Sequence, residues 1–203
     1  MSQLLDSESY DKNDVEILRK EDLYQGFFKM TKYVFRHRLF AGGWSGEVER
    51  EMFLRGDAVA LLPYDPVLDK VVLVEQFRTG ALEGERPWQF EIVAGMIEPG
   101  ESTEEVAARE CQEEAGIDVS DLKKITEYYP SSGGCDERIA LYIGTVDSSI
   151  AGGIFGLDDE NEDIRVHVVD REEAYQWVIS GKIDNAASII SLQWLQLNHH
   201  NQG

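Results

Sequence analysis

The sequence predicts a fold of the α/β or α+β class, in which strands and helices mix around one core. Runs rich in β-branched and aromatic residues recur between residues 58 and 95 and are bounded by turn residues, which is typical of neighbouring strands. A segment with helix start and stop signals follows at 102–116. Strand-like and helix-like segments then intermix up to residue 197, so neither a helical bundle nor a β-sandwich is expected.

The N-terminal part of the chain differs from the rest. TKYVFRHRLF at 31–40 has strand-like content, and the glycine-bearing AGGWSGEVEREMF follows it. We expect a β-rich unit over 1–52, packed on a larger domain over 53–203. In the larger domain, strands are predicted for AVALLPYD, KVVLVEQFR and PWQFEIVAG, at 58–65, 70–78 and 87–95.

The helix after these strands has clear boundaries. Ser102 is a good N-cap, Glu105 three residues later completes a capping box, and Gly116 stands where a left-handed stop belongs. Beyond it, strands are predicted at 137–146 and 164–170, and helices at 171–181 and 185–197.

Composition restricts the possible functions. The chain has 203 residues, 42% of them hydrophobic, and a formal net charge of -20, which favours a globular protein without a nucleic-acid or anionic-membrane surface. The start lacks a signal-peptide pattern, and no apolar run is long enough to span a membrane. Cys111 and Cys135 are too few for a disulfide framework. We therefore expect a cytoplasmic protein.

Three glutamates lie close together in RECQEEAG, at 109–116. On a helix, Glu110, Glu113 and Glu114 project to one side at i, i+3 and i+4 spacing, where like charges repel. Such carboxylates suit Mg²⁺, which is held by one or two carboxylates plus substrate phosphate and water. Arg109 is placed to pair with Glu113. A solvated acidic face is the alternative interpretation of these residues alone.

The wider segment decides between these interpretations. GMIEPGESTEEVAARECQEEAGI matches the pattern G-x5-E-x7-R-E-U-x-E-E-x-G-U, in which U is a hydrophobic residue. All fixed positions are present, at Gly95, Glu101, Arg109, Glu110, Glu113, Glu114 and Gly116. The chain thus resembles the Nudix hydrolase superfamily. Cys111 replaces the usual aliphatic residue at one hydrophobic position, and we expect it to pack in the core.

The resemblance implies an α/β/α sandwich of the α+β class and a divalent-metal hydrolase. The implied cofactor is Mg²⁺, two or three ions per site, for which Mn²⁺ can substitute. The implied metal ligands are Glu110, Glu114 and the backbone carbonyl of Ala94. Glu101, Arg109 and Glu113 are implied as supporting residues.

Segments outside this motif resemble bacterial ADP-ribose pyrophosphatases of the same superfamily. They include LYQGFF, YVFRHRLF, EMFLRG, LLPYDP, VEQFR, SSGGCDER, GLDDENEDIRVHVV and AYQWVISGKIDNAASIISLQWLQL. The resemblance implies a homodimer whose N-terminal sheets are exchanged, so that each active site takes residues from its partner. The implied substrate-binding residues are Phe27, Phe28, Arg50, Glu51, Arg55, Arg78, Met96, Ser131, Ser132, Gly133 and Glu137. For the two phenylalanines, an ordinary core role is the alternative, and for Arg55 and Arg78, surface ion pairing.

The acidic loop GLDDENED at 156–163 is a second chemical element. It lacks the glycine of the calcium-binding loop pattern, which excludes an EF-hand. The resemblance implies that Glu160 is the catalytic base and that Glu162 is a further metal contact. The sequence alone does not choose between these two glutamates.

The predicted reaction is Mg²⁺-dependent hydrolysis of ADP-ribose to AMP and ribose 5-phosphate. One alternative is hydrolysis of another nucleoside diphosphate sugar such as GDP-mannose, because the motif recognises the diphosphate and not the groups attached to it. A second alternative is a Nudix module that binds ADP-ribose without cleaving it.

Overall fold

The computed structural model describes residues 10–157 and 161–199. These residues divide into two compact units. The first comprises the N-terminal part up to Arg55 together with the segment Ser131–Glu137, and the second comprises Gly56–Pro130 and the chain from Arg138 onward.

The described part of the first unit forms a three-stranded antiparallel sheet. Its strands are β1 (Val15–Gln25), β2 (Lys29–His37) and β3 (Val48–Leu54), in the order β1-β2-β3. The segment 131–137 joins the end of β3 through backbone hydrogen bonds from Phe53 N–H to the Gly134 carbonyl and from Asp136 N–H to the Phe53 carbonyl. An N-terminal sheet was expected from the sequence, but the participation of 131–137 was not.

Strand β1 has no clear signal in the sequence. All its residues are exposed, so VEILRKEDLYQ lacks the alternation of polar and apolar residues that marks a half-buried strand. Pairing with β2 stabilises it, with ion pairs between Glu21 and Lys32 at 2.7 Å and between Asp22 and Lys29 at 2.8 Å.

The second unit contains a mixed sheet of eight described strands. Its elements are β4 (Ala58–Asp65), β5 (Lys70–Phe77), β6 (Trp88–Glu91), β7 (Val93–Met96), β8 (Ser120–Tyr128), β9 (Ile139–Thr145), β10 (Gly153–Phe155) and β11 (Ile164–Asp170). The strand order is β10-β11-β5-β4-β9-β8, with β6 paired to β5 and β7 paired to β4. Strands β4 and β9 run parallel, and the other pairs are antiparallel.

Helices cover both faces of this sheet. Its helices are α1 (Thr103–Ala115), α2 (Arg171–Ile179) and α3 (Ala186–Asn198). On one face, Val72 and Val74 of β5 pack in a core with Val106 and Cys111 of α1. On the other face, alternate strand residues such as Leu73 form a second core with α2 and α3. The predicted α/β/α sandwich of the α+β class is confirmed.

One predicted strand is divided in two. The sequence favours a single strand over 87–95, whereas β6 pairs with β5 and β7 pairs with β4. The change of partner falls at Ile92, whose N–H donates to Ser188 Oγ, 3.0 Å away on α3. This tertiary contact cannot be read from the local pattern. Strands β8 and β10 were also not predicted.

Among the described residues, no helix combines the length and apolar character needed to cross a membrane.

Candidate active site

Local sequence signals define both ends of helix α1. Ser102 Oγ accepts from Glu105 N–H, and Glu105 Oε2 accepts from Ser102 N–H, so the predicted capping box is present. Gly116 ends the helix with φ 67°, a left-handed conformation that glycine adopts without strain. The glutamates of RECQEEAG therefore lie on the last two turns of the helix, against the sheet.

Gly95 on β7 makes room for one of these glutamates. A Cβ atom at this position would lie 1.8 Å from Glu110 Oε1. Any other residue would displace the Glu110 carboxylate, which is mostly buried. The glycine that opens the sequence motif thus acts through close approach to a carboxylate.

Glu114 is the most deeply buried of the three glutamates, with 4% of its surface exposed. Its Oε2 accepts from the backbone N–H of Ala94 at 3.1 Å, and its Oε1 accepts from the side-chain amide of Gln76 at 3.4 Å. Donors from two different strands, β5 and β7, therefore orient this carboxylate.

Arg109 lies among three carboxylates. Its guanidinium contacts Glu101 Oε1 at 3.1 Å, Glu110 Oε1 at 2.8 Å and Glu113 Oε2 at 3.0 Å. Burial lowers the pKa of Arg109, but Glu101 and Glu110 raise it by a larger amount. The net effect is a raised pKa, so the residue stays charged. Glu101, Glu110 and Glu113 share this cation, and the pair of Arg109 with Glu113 is the one that their i, i+4 spacing predicts.

The charge of Arg109 does not compensate the buried carboxylates. Burial raises the pKa of Glu110 to about 7, against the lowering effect of Arg109. Burial also raises the pKa of Glu114 to about 8, against its hydrogen bond from Ala94 N–H. The negative charge of Glu162 raises both values, which places this loop residue in the same electrostatic environment. Perturbed carboxylates of this kind concentrate at functional sites.

The chemistry of the donors fits a hard divalent cation. Glu110 and Glu114 offer carboxylate oxygens, and the absence of a side chain at Gly95 lets Glu110 lie close to β7. Within the described ranges, no three His, Cys, Asp or Glu side chains form a metal cage of their own. A cation that keeps water and substrate phosphate among its ligands, as Mg²⁺ does, suits such an open set.

The acidic loop is described only in part. Glu160, the predicted base, lies outside the described residues. Glu162 follows it, and its Oε2 accepts from Leu157 N–H at 3.3 Å.

Two further predicted residues belong to the second unit. Arg78 forms an ion pair with Glu91 at 2.7 Å, and its side chain remains 42% exposed. Burial raises the pKa of Glu91, against the lowering effect of Arg78. Met96, at the end of β7, is exposed.

Several predicted substrate residues meet within the first unit. The ring of Phe28 contacts Phe27 and Phe53 edge to face, with centroids 4.8 and 5.1 Å away. The Arg55 guanidinium lies 5.3 Å from the centre of the Phe28 ring, and Arg55 Nε lies 3.1 Å from the buried Glu137 Oε1. An aromatic surface beside a cation is thereby formed by three elements that are distant in sequence. Phe27 is 88% exposed, so an ordinary core role does not describe it.

The other predicted residues of this unit lie on exposed backbone. Arg50 and Glu51 are exposed on β3, and Arg50 donates to the carbonyl of its neighbour Glu49 at 2.7 Å. Ser131, Ser132 and Gly133 form an exposed turn, in which the Ser131 carbonyl accepts from Gly134 N–H and Cys135 N–H. Among the described residues, none of these forms a hydrogen bond or an ion pair with Phe28 or Arg55.

Two residues of the site were not predicted from the sequence. Gln76 contacts Glu114, and Glu91 contacts Arg78. A signal for Gln76 was available, because it continues the alternation of Val72 and Val74 as a polar residue at a core position. Cys111 is buried, and burial raises the pKa of its thiol to about 12, so it packs as expected.

Comparison with known proteins identifies the family of this chain. The family model for the NUDIX domain matches residues 54–190, more than half of the chain. ADP-ribose pyrophosphatase of Escherichia coli K12 is 59% identical over 192 residues, which cover 94% of this chain and 92% of that protein. GDP-mannose pyrophosphatase of Pectobacterium atrosepticum is 31% identical, over 88% of this chain and 92% of that one.

A solved structure shares the fold. The crystal structure of an ADP compounds hydrolase superposes with a TM-score of 0.72, covering 96% of this chain and 99% of that one, at 20% identity. At that identity the likeness concerns the fold alone. On the family model and the full-length similarity, the chain belongs to the Nudix family.

Proposed function

We propose that this protein hydrolyses the diphosphate bond of ADP-ribose, giving AMP and ribose 5-phosphate. The main support is the 59% identity, over 94% of the chain, to a protein named ADP-ribose pyrophosphatase. A phosphoryl-transfer site needs cations that neutralise the diphosphate. The two buried carboxylates on α1 are the proposed ligands for those cations.

The proposed metal ligands are Glu110, Glu114, Glu162 and the carbonyl of Ala94. When bound, two or three Mg²⁺ ions, or Mn²⁺ in their place, supply charge neutralisation and activation of a water. Glu101, Arg109 and Glu113 support this set. Arg109 does so by holding the other two and contacting Glu110 at 2.8 Å.

The proposed base is Glu160, which takes a proton from the attacking water. The proximity of Glu162 to the α1 carboxylates favours a metal-binding role for Glu162. That leaves Glu160, two residues earlier on the same loop, for the proton transfer.

The proposed adenine site consists of Phe27 and Phe28. An exposed aromatic surface suits a nucleobase, because stacking on aromatic side chains is favourable for every base. Arg55 and Glu137, which pair beside Phe28, and Arg78 are proposed to bind the polar parts of the substrate. Arg50, Glu51, Met96, Ser131, Ser132 and Gly133 complete the proposed substrate contacts.

We also propose that the protein is a cytoplasmic homodimer in which residues 1–52 are exchanged and residues 53–203 carry the Nudix site. The exposed strand β1, with apolar side chains such as Ile17 and Leu23, supports an interface in this region. The first unit of one chain would then contribute its aromatic residues to the active site of its partner.

The substrate is tested by turnover with purified protein and Mg²⁺. We expect AMP release from ADP-ribose. We expect a lower kcat/KM for GDP-mannose, the compound in the name of a relative that is only 31% identical. A higher kcat/KM for GDP-mannose would reverse the assignment. Tight binding of ADP-ribose without AMP release under saturating Mg²⁺ would replace the enzyme with a binding module.

Shared active sites are tested by mixing two inactive variants, Phe28→Ala and Glu114→Gln. In a mixed dimer, one site would combine an intact Glu114 with an intact Phe28 from the other chain. Activity should therefore appear on mixing and subunit exchange. Its absence, with mixed dimers present by mass spectrometry, would show that each chain uses its own Phe28.

A further inference from the structure

We propose that Gln76 is a positioning residue for the metal-binding carboxylate of Glu114. The inference rests on the proposed function, in which Glu114 ligates a divalent cation. It adds a residue of β5 to the catalytic machinery of α1.

Gln76 occupies a buried position on the face of β5 that otherwise carries apolar core residues. Along β5, Val72 and Val74 point into the core beneath α1, and neither has measurable exposure. Gln76 is the next residue on that face and is 5% exposed. A leucine or methionine of similar size would continue the core at this point.

Burying an amide at such a position is unfavourable unless it forms hydrogen bonds. The described partner of Gln76 Nε2 is Glu114 Oε1, at 3.4 Å. This distance is longer than that of a strong hydrogen bond, so its contribution to folding is small. A residue that adds little to stability at a core position is better explained by what it does for its partner.

The geometry indicates what that effect is. Ala94 N–H fixes one oxygen of Glu114 from β7, and Gln76 fixes the other from β5. One donor on each oxygen favours a single orientation of the carboxylate, and that orientation sets the direction of its remaining lone pairs. A neutral amide does this without repelling a cation, which a lysine or arginine at this position would do. Hydrogen-bond partners of metal ligands commonly change metal affinity by about 10- to 100-fold.

The test compares Gln76→Met with Val74→Ala. Methionine keeps the volume of Gln76 and removes the donor, whereas Val74→Ala weakens packing on the same face of the same strand and removes no hydrogen bond to Glu114. Mn²⁺ binding to EDTA-treated protein is followed by the electron paramagnetic resonance of free Mn²⁺. We expect Gln76→Met to weaken Mn²⁺ binding by about 10-fold or more. We expect Val74→Ala to lower Tm and to leave Mn²⁺ binding unchanged.

Activity gives a second, separate measurement. If Gln76 acts through the metal, excess Mg²⁺ should restore most of the kcat of Gln76→Met, whereas damage to the fold would not be rescued. Should Gln76→Met fail to fold, Gln76→Asn replaces it, because its shorter amide stays polar but cannot reach Glu114.

Two outcomes would overturn the inference. One is unchanged Mn²⁺ affinity in Gln76→Met while Glu114→Gln binds Mn²⁺ more weakly. The other is an equal loss of affinity in Val74→Ala, which would assign the effect to packing. If Glu114→Gln itself retains full Mn²⁺ affinity, the metal role of Glu114 fails, and this failure is distinguishable from that of Gln76.

Discussion

The acidic residues of the N-terminal sheet and those of helix α1 are chemically alike but physically different. Glu21 and Asp22 on β1 are exposed, and each pairs with a lysine on the neighbouring strand, which lowers its pKa. Glu110 and Glu114 are turned into the protein, and burial raises their pKa values to about 7 and about 8.

The two regions differ in how their negative charge is compensated. On the sheet, each carboxylate has its counter-ion in the chain, and such exposed pairs contribute little to stability. On α1, Arg109 is shared among three carboxylates, and Glu114 is held by two uncharged donors. We propose that a cation binds where this charge remains uncompensated.

Glu114→Gln should have the largest effect. It removes a proposed metal ligand and keeps the shape of the side chain, so kcat should fall by about 10³-fold. This is the upper end of the decrease in kcat when one group that stabilises the transition-state charge is removed. Measurement of kcat across a Mg²⁺ titration, with circular dichroism to check the fold, tests this. Near-normal turnover would remove Glu114 from the site.

Gly95→Ala should displace the neighbouring glutamate. The new Cβ would lie 1.8 Å from Glu110 Oε1, and a shift of about 1 Å in a reactive group can reduce activity by about 10²-fold. Gly80→Ala is the matched control, because its Cβ would meet no atom within 4 Å and neither glycine has a positive φ. Equal activity of the two variants would contradict the role assigned to Gly95.

The stability of the metal-free protein should fall as the pH rises. Because the folded pKa values of Glu110 and Glu114 exceed the ordinary value of 4.5, the folded state binds more protons than the unfolded state between these limits. Their contribution to stability is complete below pH 4.5 and is lost as the pH rises through 7 and 8.

This prediction is checked by following Tm against pH in EDTA and in Mg²⁺. The decrease should be smaller in Mg²⁺, because a bound cation favours the ionised carboxylates. Glu114→Gln should show a flatter curve in EDTA than the unmodified protein. Parallel curves for the two proteins would mean that Glu114 does not carry the pH dependence.

Glu21→Gln should have the smallest effect. It removes one partner of an exposed ion pair on the N-terminal sheet, so neither Tm nor kcat should change measurably. A clear loss of activity would end the contrast between the two regions and would indicate that the sheet contributes charge to the site.

Local sequence signals predicted α1 and its surroundings well. The capping box of Ser102 and Glu105, the stop at Gly116 and the spacing of the glutamates all depend on residues within one or two turns of each other. Strand β4 was predicted over its full length for the same reason, since its apolar run is continuous.

Features set by distant contacts were not predictable. Strand β1 is exposed on both faces and so has no periodicity, and the division at Ile92 depends on Ser188 of α3. The segment 131–137 belongs with β3 because of hydrogen bonds to Phe53, about 80 residues earlier in the chain.

The family, the motif and the charged residues can all be identified from the sequence, because they depend on residue type and short spacing. Which carboxylates are buried and which are paired depends on the packing of the folded chain. It turned Glu110 and Glu114 inward against Gly95, Ala94 and Gln76, and left Glu113 with Arg109. The physical reason is that desolvation depends on what packs around a group, and most of that surrounding material comes from strands distant in sequence.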